Sequence, residues 1–173
     1  MTRPIDRTAI DRLAVEHLPM ALRMARRLSG DADTAEDLVQ ETLCRVLRQW
    51  RTYRGEASFR SWLLQILVNV DRDRRRRRGH QSINDSEEAV AKSASVSEAA
   101  TAAELHAQVR SEIDRLPERQ REVALLSWGE GLAAGEIAVV LGITEANAHA
   151  TLHVARKRLA KALGIDYARS DQS

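Results

Sequence analysis

The chain has 173 residues, with 27 Lys or Arg against 25 Asp or Glu, and it is dominated by Ala, Leu, Arg and Glu. With only three prolines, eight glycines and few aromatics, that composition argues against a β-rich architecture and for an all-α fold. The lone Cys44 excludes an intramolecular disulfide, no Cys/His cluster has zinc-ligand spacing, and no apolar run approaches the roughly 20 residues needed to cross a bilayer. The expectation is a cytoplasmic protein with no membrane insertion, no metal and no other cofactor. The net charge of +2 conceals an asymmetry: residues 1–80 hold 17 basic and 11 acidic side chains, residues 81–104 one and five, and the remainder nine of each. A basic first half suits a polyanionic partner.

Apolar residues Ile10, Leu13, Ala14, Leu18, Leu22, Ala25 and Leu28 recur at three- and four-residue steps, so a helix is expected over 5–28, bent or interrupted at Pro19 and stopped by Ser29-Gly30. Asp31 or Asp33 can cap a second helix whose buried stripe is Ala35, Leu38, Val39, Leu43, Val46, Leu47 and Trp50. After a turn at 53–57, Ser58 can cap a third, with Phe59, Trp62, Leu63, Ile66, Leu67 and Val70 inward and an arginine-rich end at 72–78. These three helices define a first module over 1–78. Residues 79–102 lose the apolar period and gain Ser, Ala and acidic residues, the pattern of a flexible linker.

A second module is expected over 103–173. It begins with an amphipathic helix over 103–116, followed by a helix with Pro117 in its first turn that runs to Trp128 and is broken by Gly129-Glu130-Gly131. A short helix over 132–141 ends at Gly142, and Thr144 caps a last one reaching about Leu163. A small residue at Ala138 and a glycine at 142, flanked by apolar positions, give the sequence form of a helix-turn-helix. Gly135 in the short helix either permits a close backbone approach or is simply tolerated.

Two ordered strings stand out. The first is Ala35-Glu36-Asp37-Leu38-Val39-Gln40-Glu41-Thr42, then Tyr53-Arg54-Gly55-Glu56-Ala57-Ser58-Phe59-Arg60-Ser61-Trp62-Leu63, then Asn69 and the arginines. The second is Leu116-Pro117-Glu118-Arg119-Gln120-Arg121-Glu122-Val123, then Glu136-Ile137-Ala138, Leu141-Gly142-Ile143 and Leu152-His153-Val154-Ala155-Arg156-Lys157-Arg158-Leu159. The first resembles region 2, and the second region 4, of the extracytoplasmic function (ECF) sigma factors of bacterial RNA polymerase.

The resemblance implies a transcription initiation factor whose partners are core RNA polymerase, through its β′ and β subunits, promoter DNA and, in many relatives, an anti-sigma factor. It places polymerase binding on Asp37, Gln40 and Glu41, positions that the helical period alone would leave as solvated polar residues. It places minus-ten recognition and melting on Tyr53, Arg54, Glu56, Ser58, Arg60 and Asn69. The arginines Arg72, Arg74, Arg75, Arg76, Arg77 and Arg78 wrap the helix end and suit phosphates. Phe59 and Trp62 fall on the apolar stripe and are expected in the core rather than against bases.

By the same resemblance, minus-thirty-five recognition falls on Thr144, Glu145, Asn147, His149 and Thr151, with Arg156, Lys157 and Arg158 as phosphate contacts further along the helix. Here the chain departs from a common family form: Ala148 replaces a β-branched residue, and His149 and Thr151 replace basic ones. The acidic linker would run through the polymerase toward the RNA exit path. No phosphate-cradling glycine loop and no nucleophile with a paired base occur, so no enzyme activity is expected. His149 and His153 stand four apart but lack a third ligand. Two other readings stay open: a sigma-like protein that binds a regulator instead of promoter DNA, and a helix-turn-helix repressor that uses only the second module.

Overall fold

The structure, a computed structural model, describes residues 6–81 and 102–164. The linker expected over 79–102 therefore lies, for residues 82–101, outside the described residues. All regular elements among the described residues are helical: α1 Arg7–Ser29, α2 Ala32–Gln49, α3 Phe59–Gln81, α4 Ala102–Asp114, α5 Glu118–Ala124, α6 Ala134–Leu141 and α7 Glu145–Ala162. The first three form one domain and the last four a second.

Helix α1 starts where Asp6 accepts the Ala9 amide (2.7 Å) and ends at Gly30, whose φ of 82° lets its N–H reach the Arg26 carbonyl. Of the two outcomes expected at Pro19, interruption does not occur: α1 passes through it as one helix. Proline denies the Val15 carbonyl its intrahelical donor, but Val15 is 72% exposed and Pro19 is exposed too, so water can take that role. Of the two proposed caps of α2, Asp31 serves, accepting the Thr34 amide at 2.7 Å. Its stripe is buried at Ala35, Leu38, Val39 and Val46, while Leu47 is 39% exposed. Thr42 is inside instead, its hydroxyl satisfied by donating to the Leu38 carbonyl (2.6 Å). A single turn of 3₁₀ helix at Trp50–Thr52 leads to the loop before α3. Ser58 caps α3 by accepting the Ser61 amide (3.1 Å), and α3 runs to Gln81 rather than stopping at Arg78.

In the second domain, α5 does not continue as an α-helix to Trp128. It opens into a π turn at Leu125–Gly129, and Gly131, at φ 68°, turns the chain out of it. Pro117 stands one place before the first helical residue and accepts the Arg121 amide at 2.9 Å. Helix α6 begins two residues later than expected, with the Glu136 carboxylate accepting the Ala133 amide (3.0 Å). Gly142, at φ 65°, makes the tight turn to α7, which Thr144 caps through the Asn147 amide (3.2 Å). A Cβ on Gly135 would lie 3.7 Å from the Glu145 carboxylate, an ordinary contact, so the glycine is tolerated rather than required.

The two domains lie against each other, α3 on α6 and α1 on the π turn; one cluster of buried residues from Ile10 to Ala148 spans both, and Leu116, Ala124, Ala155 and Leu159 form a smaller one in the second domain. Helix α3 is the shared wall. Leu63, Leu64, Ile66, Leu67, Val68 and Val70 are all 6% exposed or less, which one apolar stripe could not achieve.

Candidate nucleic-acid and polymerase interface

Between α2 and α3 lies a cleft of about 260 Å³ with Leu38 and Val70 in its lining and Asp37, Glu41, Arg45, Asp73, Arg74 and Arg77 around them. Most of its charges are paired: Arg45 donates to Glu41 (3.0 Å) and to Asp73 (3.0 Å), and Arg74 reaches Asp37 at 3.4 Å. The Glu41 bond, with Asp73 behind it, makes the Arg45 guanidinium harder to deprotonate than an ordinary arginine, against the opposing pull of burial. Asp37, Gln40 and Glu41 share the exposed face of α2, so the acids expected to meet polymerase sit beside an arginine expected to meet DNA.

The loop before α3 presents Arg54, Glu56 and Ser58 to solvent, with Gly55 at φ 75°. Tyr53 is different. Its ring is 5.5 Å from Phe59 and 5.1 Å from Trp62, and its hydroxyl donates to the Ala57 carbonyl (3.1 Å), so it props the loop as part of an aromatic cluster that also takes in His17. Burial in that cluster raises the pKa of the phenol. Phe59 is 4% exposed, a core residue as its place on the stripe implies. Asn69 is exposed on α3.

The arginines do not form one uniform tail. Arg76, Arg77 and Arg78 are exposed, but three others turn toward the second domain. Arg72 grips Glu122 of α5 with both arms of its fork (Nε to Oε1 2.7 Å, Nη2 to Oε2 2.6 Å), and Glu122 is 1% exposed. That bond raises the pKa of Arg72. Arg75 pairs with the buried Asp71 and reaches Glu118 at 3.3 Å; burial, reinforced by Arg121, shifts its pKa down. Arg60 contacts the Glu130 carbonyl and stands 3.9 Å from its carboxylate, whose side chain is 2% exposed and which is also paired with Arg27. Arg27 further donates to the Gly129 carbonyl (2.8 Å), and Gln65 to that of Val139 (3.4 Å). Sequence reasoning missed Arg27, Glu118, Glu122 and Glu130. Leu64 and Val68, apolar residues off the expected stripe of α3, were the available signal.

On the far domain, α7 turns Ala148, Ala155 and Leu159 inward. Its outer face carries Glu145, Asn147, His149, Arg156, Lys157 and Arg158, all exposed, with Thr144 at the cap and Thr151 half-buried. Glu145 and His149 lie 3.8 Å apart, one turn from each other. The helix-turn-helix thus presents its second helix outward.

Comparison with known proteins fits each domain to a family. Residues 13–81 match the model of Sigma-70 region 2, and residues 106–159 match that of Sigma-70 region 4. The ECF RNA polymerase sigma factor EcfG of Rhodopseudomonas palustris is 32% identical over 150 residues, 86% of this chain and 82% of the relative. This chain belongs to the ECF sigma factors. The ECF sigma factor SigM of Mycobacterium tuberculosis is 30% identical over 92% of this chain and 79% of its own. In fold, this sigma factor resembles RpoE of Bartonella quintana, solved in complex with the anti-sigma factor NepR (TM-score 0.74, 23% identity, 90% of this chain and 97% of that one). It also resembles CnrH, solved in complex with the cytosolic domain of CnrY (TM-score 0.65, 25% identity, 92% and 90%). As a sigma factor it directs RNA polymerase to promoters. Among its described residues, no helix is long and apolar enough to cross a membrane.

Proposed function

We propose that this sigma factor docks on core polymerase through Asp37, Gln40 and Glu41, melts the minus-ten element with the loop before α3, Asn69 and the arginines of α3, and holds the minus-thirty-five element with α7. The observation that carries this reading is the pairing of a helix-turn-helix whose second helix has an exposed polar outer face with a helix, α3, ending in exposed Arg76, Arg77 and Arg78. Cations on α3 hold phosphates, exposed amide and hydroxyl groups meet unstacked bases, and the first turns of α7 read base edges. Ala148 is fully buried, so its small size belongs to packing and not to base readout. Readout then rests on Glu145, Asn147 and His149 at the start of α7. Tyr53 contributes by holding the loop, since its ring and hydroxyl are already engaged. The similar RpoE fold was solved with an anti-sigma factor, which supports an anti-sigma partner for this chain as well.

Transcription by core polymerase on a pool of genomic fragments, with and without the protein, tests the reading. Start sites that share two upstream elements and occur only with the protein are expected, and their absence would overturn it. His149→Ala should change which promoters are used while leaving core-polymerase affinity intact. Equal loss of both would contradict the assignment of α7 to promoter reading.

A further inference from the structure

The end of α2 and the turn after it carry an arginine at every third position, Arg45, Arg48, Arg51 and Arg54, and Glu56 is the only acid from position 42 to position 70. Helix α2 ends at Gln49 and tightens into the 3₁₀ turn Trp50–Thr52. Residues three apart lie on neighbouring parts of a helix surface and stand over one another in a 3₁₀ turn, so Arg48, Arg51 and Arg54, all exposed, emerge on one side. Nothing in the fold compensates them. Arg45, Arg72, Arg74, Arg75 and Arg76 each pair with a carboxylate. Among the described residues, no ion pair or side-chain hydrogen bond engages Arg48 or Arg54, and Arg51 is engaged only by Trp50, its guanidinium 5.3 Å from the ring centroid. Like charges at this spacing destabilise a helix, so the array contributes nothing to folding and fits an external anion instead. It is also separate from the arginines at the far end of α3. Tyr53 packs on Phe59 and Trp62 at the start of that helix, whereas Arg76 lies about 26 Å further along at 1.5 Å per residue.

We propose that Arg48 and Arg51, together with Arg54, form a second phosphate seat, which holds the displaced promoter strand where it runs on past the minus-ten element. This rests on the assignment of the loop before α3 to that element. Continuity selects the occupant: Arg54 belongs to the loop that meets unstacked bases, and the array leads away from it toward α2. Cations set beside a half-buried indole are also the combination found in single-strand grooves, where arginines track the backbone and an aromatic face lies within reach of a base.

The test uses the holoenzyme, assembled from core polymerase and the full chain, with two fluorescent fork probes of one promoter from the genomic transcription pool. In the short probe the displaced strand stops at the last base of the minus-ten element, and in the long probe it continues as a single strand for several nucleotides. Affinities are measured across a salt series. R48A/R51A should lower the slope of log affinity against log salt by about 1.4 on the long probe, two phosphate contacts at roughly 0.7 each, and leave the slope on the short probe at its wild-type value. R48K/R51K, which keeps the charges, should keep the wild-type slope on both. The side chains are exposed, so both variants should fold as wild type does. A wild-type slope for R48A/R51A on the long probe would overturn the second seat, and so would an equal loss on both probes, which would put the contact inside the element. Reduced affinity for core polymerase with unchanged DNA slopes would also overturn it, giving these arginines to an acidic surface of polymerase. Wild-type holoenzyme that retains neither probe would remove the minus-ten reading and the seat with it, whereas retention of both with no effect of R48A/R51A removes the seat alone.

Discussion

Asp31 illustrates how a single side chain ties local structure to a measurable condition. It accepts the Thr34 amide at the start of α2, and that bond lowers its carboxyl pKa. A carboxyl depressed in the folded state contributes its stability above the unfolded pKa of about 3.9 and loses it as pH falls through the lower folded value. Wild type should therefore be more stable than Asp31→Ala at neutral pH, by an amount that stays constant down to about pH 4 and shrinks below it. Urea midpoints across that range check the sign; a gap that widened on acidification would contradict it. Other residue roles were equally local and equally legible: Ser58 and Thr144 cap the helices that their positions announce, and Gly30 and Gly142 supply the positive φ that ends α1 and α6. Tyr53 was not legible in this way, because whether an aromatic side chain faces bases or neighbouring rings depends on Phe59 and Trp62 across the loop.

At the scale of elements, α3 carries most of the argument. Its outer end should act as a diffuse cation. Removing three phosphate-binding charges with R76A/R77A/R78A should weaken single-stranded DNA binding and reduce the slope of log affinity against log salt by about 2, since each contact contributes roughly 0.7. A slope equal to that of wild type would show that these side chains do not meet phosphates. The existence and order of the seven α-helices among the described residues could be read from apolar period and caps. What could not be read was the second use of α3. Period analysis looks for one buried stripe, and it found Leu63, Ile66, Leu67 and Val70; Leu64 and Val68 are buried as well because another domain covers them. Arg72 and Arg75 were likewise read as part of one phosphate-binding tail, since sequence cannot show that Glu122 and Glu118 would come to meet them. The π turn after α5 and the unbroken passage of α1 through Pro19 escaped for a related reason: both depend on where backbone carbonyls find alternative donors.

For the molecule as a whole, one chain presents three faces: an α2–α3 cleft with paired acids, a cationic α3, and the outward α7. An initiation factor needs all three together, because polymerase must be held while two separated promoter elements are engaged. Permanganate probing of a promoter found in the genomic transcription pool reads promoter melting itself. With core polymerase and this protein together, thymines around the minus-ten element should become reactive, and with either component alone they should not. A promoter that stays double-stranded in the complete mixture would contradict the account.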